Sequence, residues 1–132
     1  MRFEELVKKT SQTKKRRSDE EHRIQRSCVR WFNIKHKELR GRLFAVPNGG
    51  RRDAATAARL KEEGVVAGVS DLILLVPNRY YGALLIEMKT QRGKQSQSQV
   101  DWEKIITSTG EYKYVVCHSI DDFISEVEEY LK

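Results

Sequence analysis

The sequence predicts a single α/β domain, and three observations carry that prediction. Residues 71–76 and 83–89 form two apolar runs of strand length, split by a Pro77-Asn78 turn. Stretches with helical apolar spacing lie on both sides of them, at about residues 18–39, 96–109 and 119–131. The chain has 132 residues and is 39% hydrophobic, which suits one modest core.

Taken in order, residues 1–17 read as a polar, flexible, basic arm, with at most a short helix near residues 3–9. Ser18 with Glu21 three residues on reads as a capping box opening the first helix. Ile24, Cys28, Trp31 and Lys35 then share one stripe, flanked by Val29 and Phe32, and Glu21 and Gln25 lie at its N-terminal end. A short strand is expected at residues 43–46, stopped by the loop Pro47-Asn48-Gly49-Gly50. Arg51-Arg52 leads into an Ala-rich helix that reaches Glu63, with Gly64 at its C′ position. The Asn48–Arg52 loop reads either as an ordinary tight turn or as a phosphate cradle built from backbone N–H groups and two arginines.

The two long strands follow. On the second, Ala83, Leu85, Glu87 and Lys89 share one face, and Leu84, Ile86 and Met88 the other. A helix is expected from about Ser96, with Gln99, Trp102 and Ile106 on one side, ending at Gly110. Residues 112–117 form the last strand. Ser119 caps the last helix, whose buried stripe is Phe123, Val127 and Leu131 and whose outer face is acidic through Glu126, Glu128 and Glu129. That face is expected to point away from nucleic acid.

Composition narrows the function classes. Mean hydropathy is −0.65, and no apolar run approaches the roughly 20 residues of a membrane span. The charged N-terminus lacks the apolar core of a secretory signal. Cys28 and Cys117 make no CxxC pair and read as reduced and cytosolic, and the three histidines lack zinc-type spacing. The net charge is +6, of which +5 lies in residues 1–17, where Lys14, Lys15, Arg16 and Arg17 form the densest run. This arm is expected either to contact nucleic acid or to act as a solvated tail.

The chemistry concentrates in the strand pair. Asp71 begins one apolar run, and Glu87 and Lys89 end the other. A charge in such a run is costly unless it is paired or bound to metal. Two carboxylates suit a hard cation such as Mg²⁺, with the Met88 carbonyl as a further oxygen and Glu21 as a ligand directly or through water. Lys89 could orient water or offset charge on a phosphate. The bland reading is an acid at a strand start and a Glu–Lys pair at a strand end, since charged residues commonly lie there.

Several motifs in order make the chain resemble the VRR-NUC family, a branch of the PD-(D/E)xK nuclease superfamily. They are Glu21-x-x-x-Gln25, Pro47-Asn48-Gly49-Gly50-x-Arg52, Gly64-Val65-x-Ala67-Gly68-x-Ser70-Asp71, Ile86-Glu87-x-Lys89-Thr90, and Ser96-x-x-Gln99-x-x-Trp102 followed by Gly110. Ser70 stands where the superfamily's name has proline. The resemblance covers about residues 20–131. It implies a restriction-endonuclease-like αβββαβ core with a mixed central sheet flanked by helices, and cleavage of DNA phosphodiester bonds with Mg²⁺ or Mn²⁺. Carried over by position, Asp71 and Glu87 are metal ligands, Lys89 is the catalytic lysine, and Glu21 and Gln99 match the family's other site residues. Asn48, Gly49, Gly50, Arg51 and Arg52 become a DNA-facing loop. Stand-alone members from phages and bacteria resemble Holliday-junction resolvases that act as homodimers in the cytoplasm. Two readings stand beside this one: a nicking or restriction-like nuclease of other specificity, and a non-catalytic DNA-binding module.

Overall fold

The computed structural model describes residues 3–47 and 53–132, with side chains from residue 19 onward. The elements alternate as α1 (Phe3–Lys35), β1 (Leu43–Ala45), α2 (Ala54–Glu62), β2 (Leu72–Leu74), β3 (Ala83–Met88), α3 (Gln97–Thr107), β4 (Tyr112–Cys117) and α4 (Ile120–Leu131). The strands form one mixed sheet in the order β1-β2-β3-β4. The first three are antiparallel neighbours, and β4 joins β3 in parallel. The connection from β3 to β4 passes through α3, as a parallel pair requires.

One expectation fails at the start. α1 is continuous from Phe3 to Lys35, so Ser18 lies inside the helix and not at its start. The cause is local: residues 3–17 contain neither Gly nor Pro and are rich in Lys, Arg and Glu, all good helix formers. A helix begins where the chain prefers to leave helical geometry, and nothing before Ser18 makes it do so. α1 ends at Lys35, and a separate 3₁₀ turn at Lys37–Leu39 follows.

Each face of the sheet has its own role. Leu43, Leu72, Leu74, Leu84, Ile86, Met88 and Cys117 are buried against Cys28 and Phe32 of α1 and Phe123, Val127 and Tyr130 of α4. Trp31 meets Phe123 edge-on at 6.1 Å across the two helices. Each fully buried aliphatic side chain in this layer is worth about 1.5–3 kcal/mol. The opposite face carries Leu85, Glu87 and Tyr114, with α3 beside it through the Trp102–Tyr114 contact.

β3 is one of the two inner strands, and all six of its residues are buried. β2 is shorter than expected, so Asp71 lies just before it. Tyr130, absent from the expected stripe, closes the core by donating its hydroxyl to the Val76 carbonyl at 2.6 Å. Both cysteines are free and buried, and burial pushes both thiols up to about 12.

Candidate active site

Register brings the strand acids together. Leu72 of β2 pairs with Ile86 of β3, which puts Asp71 level with the Glu87–Met88 end of the central strand. The Met88 N–H donates to Asp71 Oδ2 at 2.6 Å, fixing one carboxylate oxygen against the backbone of β3. A residue in a strand turns its N–H and C=O towards the same neighbour, so the Met88 carbonyl also faces β2. The Lys89 N–H faces the other way and donates to the Cys117 carbonyl at 2.9 Å.

Glu87 has no exposed surface, yet both of its oxygens are held. Gln99 Nε2 donates to Oε1 at 2.9 Å, and the Tyr114 hydroxyl donates to Oε2 at 2.6 Å. Burial is the main cause that pushes the Glu87 carboxyl up to about 8. The Tyr114 hydrogen bond and Lys89 oppose the rise, and neighbouring Asp71 adds to it. Tyr114 is itself raised above the ordinary phenol range by burial and by its bond to Glu87.

Gln99 is placed by its own helix start. Ser96 caps α3, and its hydroxyl accepts from the Gln99 N–H at 3.3 Å. Gln99 Oε1 accepts from the Ser96 N–H at 2.7 Å, completing a capping box. One amide thus closes the first turn of α3 with its oxygen and holds Glu87 with its nitrogen. The first turn of α3 also touches Gly68, whose φ is +87°. A Cβ there would stand 2.1 Å from the Ser98 carbonyl oxygen. Only glycine permits both the backbone conformation and that approach. A cleft of about 790 Å³ opens between α2, the 64–69 segment and this turn, with Asp71 and Gln99 on its wall.

Glu21 approaches from α1. Burial raises its carboxyl, with Lys89 opposing and Asp71 adding, so all three groups share one field. Among the described residues, however, no three His, Cys, Asp or Glu side chains converge as a metal-holding set. Asp71 and Glu87 therefore adjoin, with Glu21 within electrostatic reach but outside a closed three-carboxylate cage. The donors that do meet are hard oxygens, which suit Mg²⁺ or Mn²⁺ with part of the shell left to water and phosphate.

Asn48, Gly49, Gly50, Arg51 and Arg52 lie outside the described residues, as do the side chains of Lys14, Lys15, Arg16 and Arg17. Tyr114 belongs to this candidate site by its bond to Glu87, and periodicity missed it. Its signal was the strand register, because Tyr114 pairs with Leu85 and so shares the face of Glu87. Asp53 was also missed: it caps α2 by accepting from the Thr56 N–H at 2.7 Å.

The sequence model of the VRR-NUC domain matches residues 8–121. A solved structure described as a VRR-NUC domain protein is 25% identical and superposes with a TM-score of 0.72, covering 84% of this chain and 87% of that one. No curated protein matches. No helix among the described residues is long and apolar enough to cross a membrane. The match over most of the sequence, and a mixed four-stranded sheet like that of a VRR-NUC domain protein, lead to one conclusion: this chain belongs to the VRR-NUC family, whose domain is of nuclease type.

Proposed function

We propose that the chain is a metal-dependent DNA endonuclease, acting as a homodimer on branched DNA such as the Holliday junction. The observation that carries this reading is Glu87: a fully buried carboxylate, gripped by Gln99 and Tyr114, beside Asp71 and the adjoining Lys89. A buried acid beside a second acid is costly for folding alone. It is useful where the pair meets a divalent cation.

Asp71, Glu87 and the Met88 carbonyl are the residues that would hold Mg²⁺ or Mn²⁺, with Glu21 acting through water. Such an ion polarises a phosphoryl oxygen and acidifies water. The protein's own groups do the rest. Asp71 is kept from rotating by the Met88 N–H. Glu87 is kept in place by its two donors. Lys89 orients the attacking water and offsets charge developing on the phosphate. The Asn48–Arg52 loop and the Lys14–Arg17 run supply phosphate contacts. A two-fold dimer supplies the two sites that symmetric nicking of a four-way junction needs.

The test is to incubate the protein with labelled four-way junction and with linear duplex, in Mg²⁺, in Mn²⁺ and in EDTA. Metal-dependent cleavage that prefers the junction and vanishes in Lys89→Ala is the expected result. Cleavage that survives EDTA or Lys89→Ala overturns the mechanism. Preference for the linear duplex reassigns the substrate, and metal-independent binding without cleavage makes the chain a binding module.

A further inference from the structure

The flank of α1 carries a second feature that the nuclease centre does not use. From His22 to Lys37 the sequence has five basic residues and no acid. His22, Arg26 and Arg30, together with Arg40 beyond the helix end, line a groove of about 740 Å³. Arg26, Arg30 and Arg40 are exposed, and among the described residues none of them lies in an ion pair with a carboxylate. On α4, by contrast, Glu126, Glu128 and Glu129 are each engaged by a cation or histidine. With Arg23, which also lies in no ion pair among the described residues, four arginines on one helix and its exit repel one another and gain by meeting an anion.

The groove adjoins the proposed site. Gln25 lies on its lining and stands one helical turn from Glu21, which shares the field of Lys89 and Asp71. From Glu21 to Ile34 the helix rises roughly 20 Å, the length of about six base pairs. Arg26 and Arg30 are four residues apart and so stand roughly 6 Å from each other along the axis.

We infer that this face of α1 is a phosphate track for the DNA backbone, with Arg26, Arg30 and Arg40 as its contacts. It reads no bases, and it fixes the direction in which the duplex arm leaves the catalytic centre. This rests on the reading of the chain as a DNA nuclease and adds a surface to it.

The experiment measures binding of a fluorescent linear duplex in EDTA, by anisotropy, between about 50 and 200 mM salt. The Arg26→Ala/Arg30→Ala double variant is expected to lower the slope of log K against log salt by about two, since each lost phosphate contact removes about 0.9. Arg26→Lys/Arg30→Lys keeps the charge and is expected to keep the slope. Adding Arg40→Ala removes about one more unit. An unchanged slope in the double alanine variant, with its melting temperature intact, overturns the track. So does a loss of dimer by sedimentation without a change in slope, because the groove is then a face for a second copy. The nuclease reading is read out separately: a reduced slope in a protein that never cleaves keeps the track and rejects the nuclease, and the reverse pattern rejects the track alone.

Discussion

Tyr114 donates its hydroxyl to Glu87 Oε2 at 2.6 Å across the β3–β4 pair. The bond lowers the energy of the ionised carboxylate and so opposes the burial that raises it. Tyr114→Phe keeps the ring beside Trp102 and removes this donor, together with a long 3.5 Å bond that the hydroxyl accepts from Gln95 Nε2. Partners that orient a metal-binding carboxylate are worth about 10–100-fold in metal affinity or activity. The expected outcome is a rise of about tenfold in the Mg²⁺ concentration for half-maximal cleavage, with DNA affinity in EDTA unchanged. A metal titration of both proteins checks it.

Gln99 does two jobs with two atoms, and substitution can separate them. Gln99→Glu keeps an acceptor for the Ser96 N–H and loses the donor to Glu87, adding a negative charge that faces it. Gln99→Ala loses both, at a cost of about 1 kcal/mol for the cap. Cleavage is expected to fall at least tenfold in both, an effect of more than about 1.4 kcal/mol on the barrier. Helix stability is expected to fall mainly in the alanine variant. Single-turnover cleavage beside thermal melts distinguishes the two roles. Equal activity in Gln99→Glu and wild type would make Gln99 a cap and nothing more.

The ease of reading the sequence tracks the range of the interactions involved. Residues 112–117 were legible as a strand, and Ser96 and Ser119 as helix starts, because short-range patterning and capping decide them. The same capping rule failed at Ser18, where a Ser-x-x-Glu signal sits inside a run that already favours helix. Asp71, Glu87 and Lys89 stood out because a charge in an apolar run needs an explanation. Tyr114 did not, since a tyrosine in a strand needs none, and only the pairing of Leu85 with Tyr114 places it near Glu87. Gly68 was visible only as part of a motif. Its contact with Ser98 joins segments thirty residues apart, which no local pattern encodes.

Two glycines with positive φ differ in what surrounds them, and this yields a matched pair. Gly64 follows α2 with φ +102°, and among the described residues a Cβ there would meet nothing within 4 Å. Gly64→Ala therefore carries backbone strain alone, about 1–2 kcal/mol. Gly68→Ala adds a collision with the backbone at Ser98 and must push the first turn of α3 away. That turn carries Gln99. Gly68→Ala is expected to lose cleavage by tenfold or more, through a displaced Gln99, and to be the less stable of the two. Gly64→Ala should retain near-normal cleavage when assayed well below its separately measured melting temperature. Equal activity in both would show that the Gly68 contact is not needed to hold the site.

The raised carboxyl of Glu87 ties stability to pH in a definite direction. Its ordinary value is 4.5, and burial with the neighbouring Asp71 pushes it up to about 8 in the folded protein. Between those values the folded chain holds a proton that the unfolded chain has released. Stability of the metal-free protein therefore falls as pH rises from about 4.5 to about 8, and this contribution levels off above that. Glu21, raised mainly by burial, adds a contribution of the same sign. A divalent cation held as proposed would bind the ionised form and displace the proton, so its stabilisation would grow over the same window. The expected result is that wild type gains more melting temperature from Mg²⁺ at pH 8 than at pH 5. Glu87→Gln has no such proton to hold. It should lose the wild-type pH slope, melt higher than metal-free wild type at pH 8, lose the Mg²⁺ response and cleave no DNA. The difference in melting temperature between the two proteins, taken across pH with and without Mg²⁺, isolates Glu87 from every other titrating group. A difference that stays flat from pH 5 to pH 8 would mean that Glu87 is already ionised in the fold, with its charge met by Tyr114, Gln99 and Lys89.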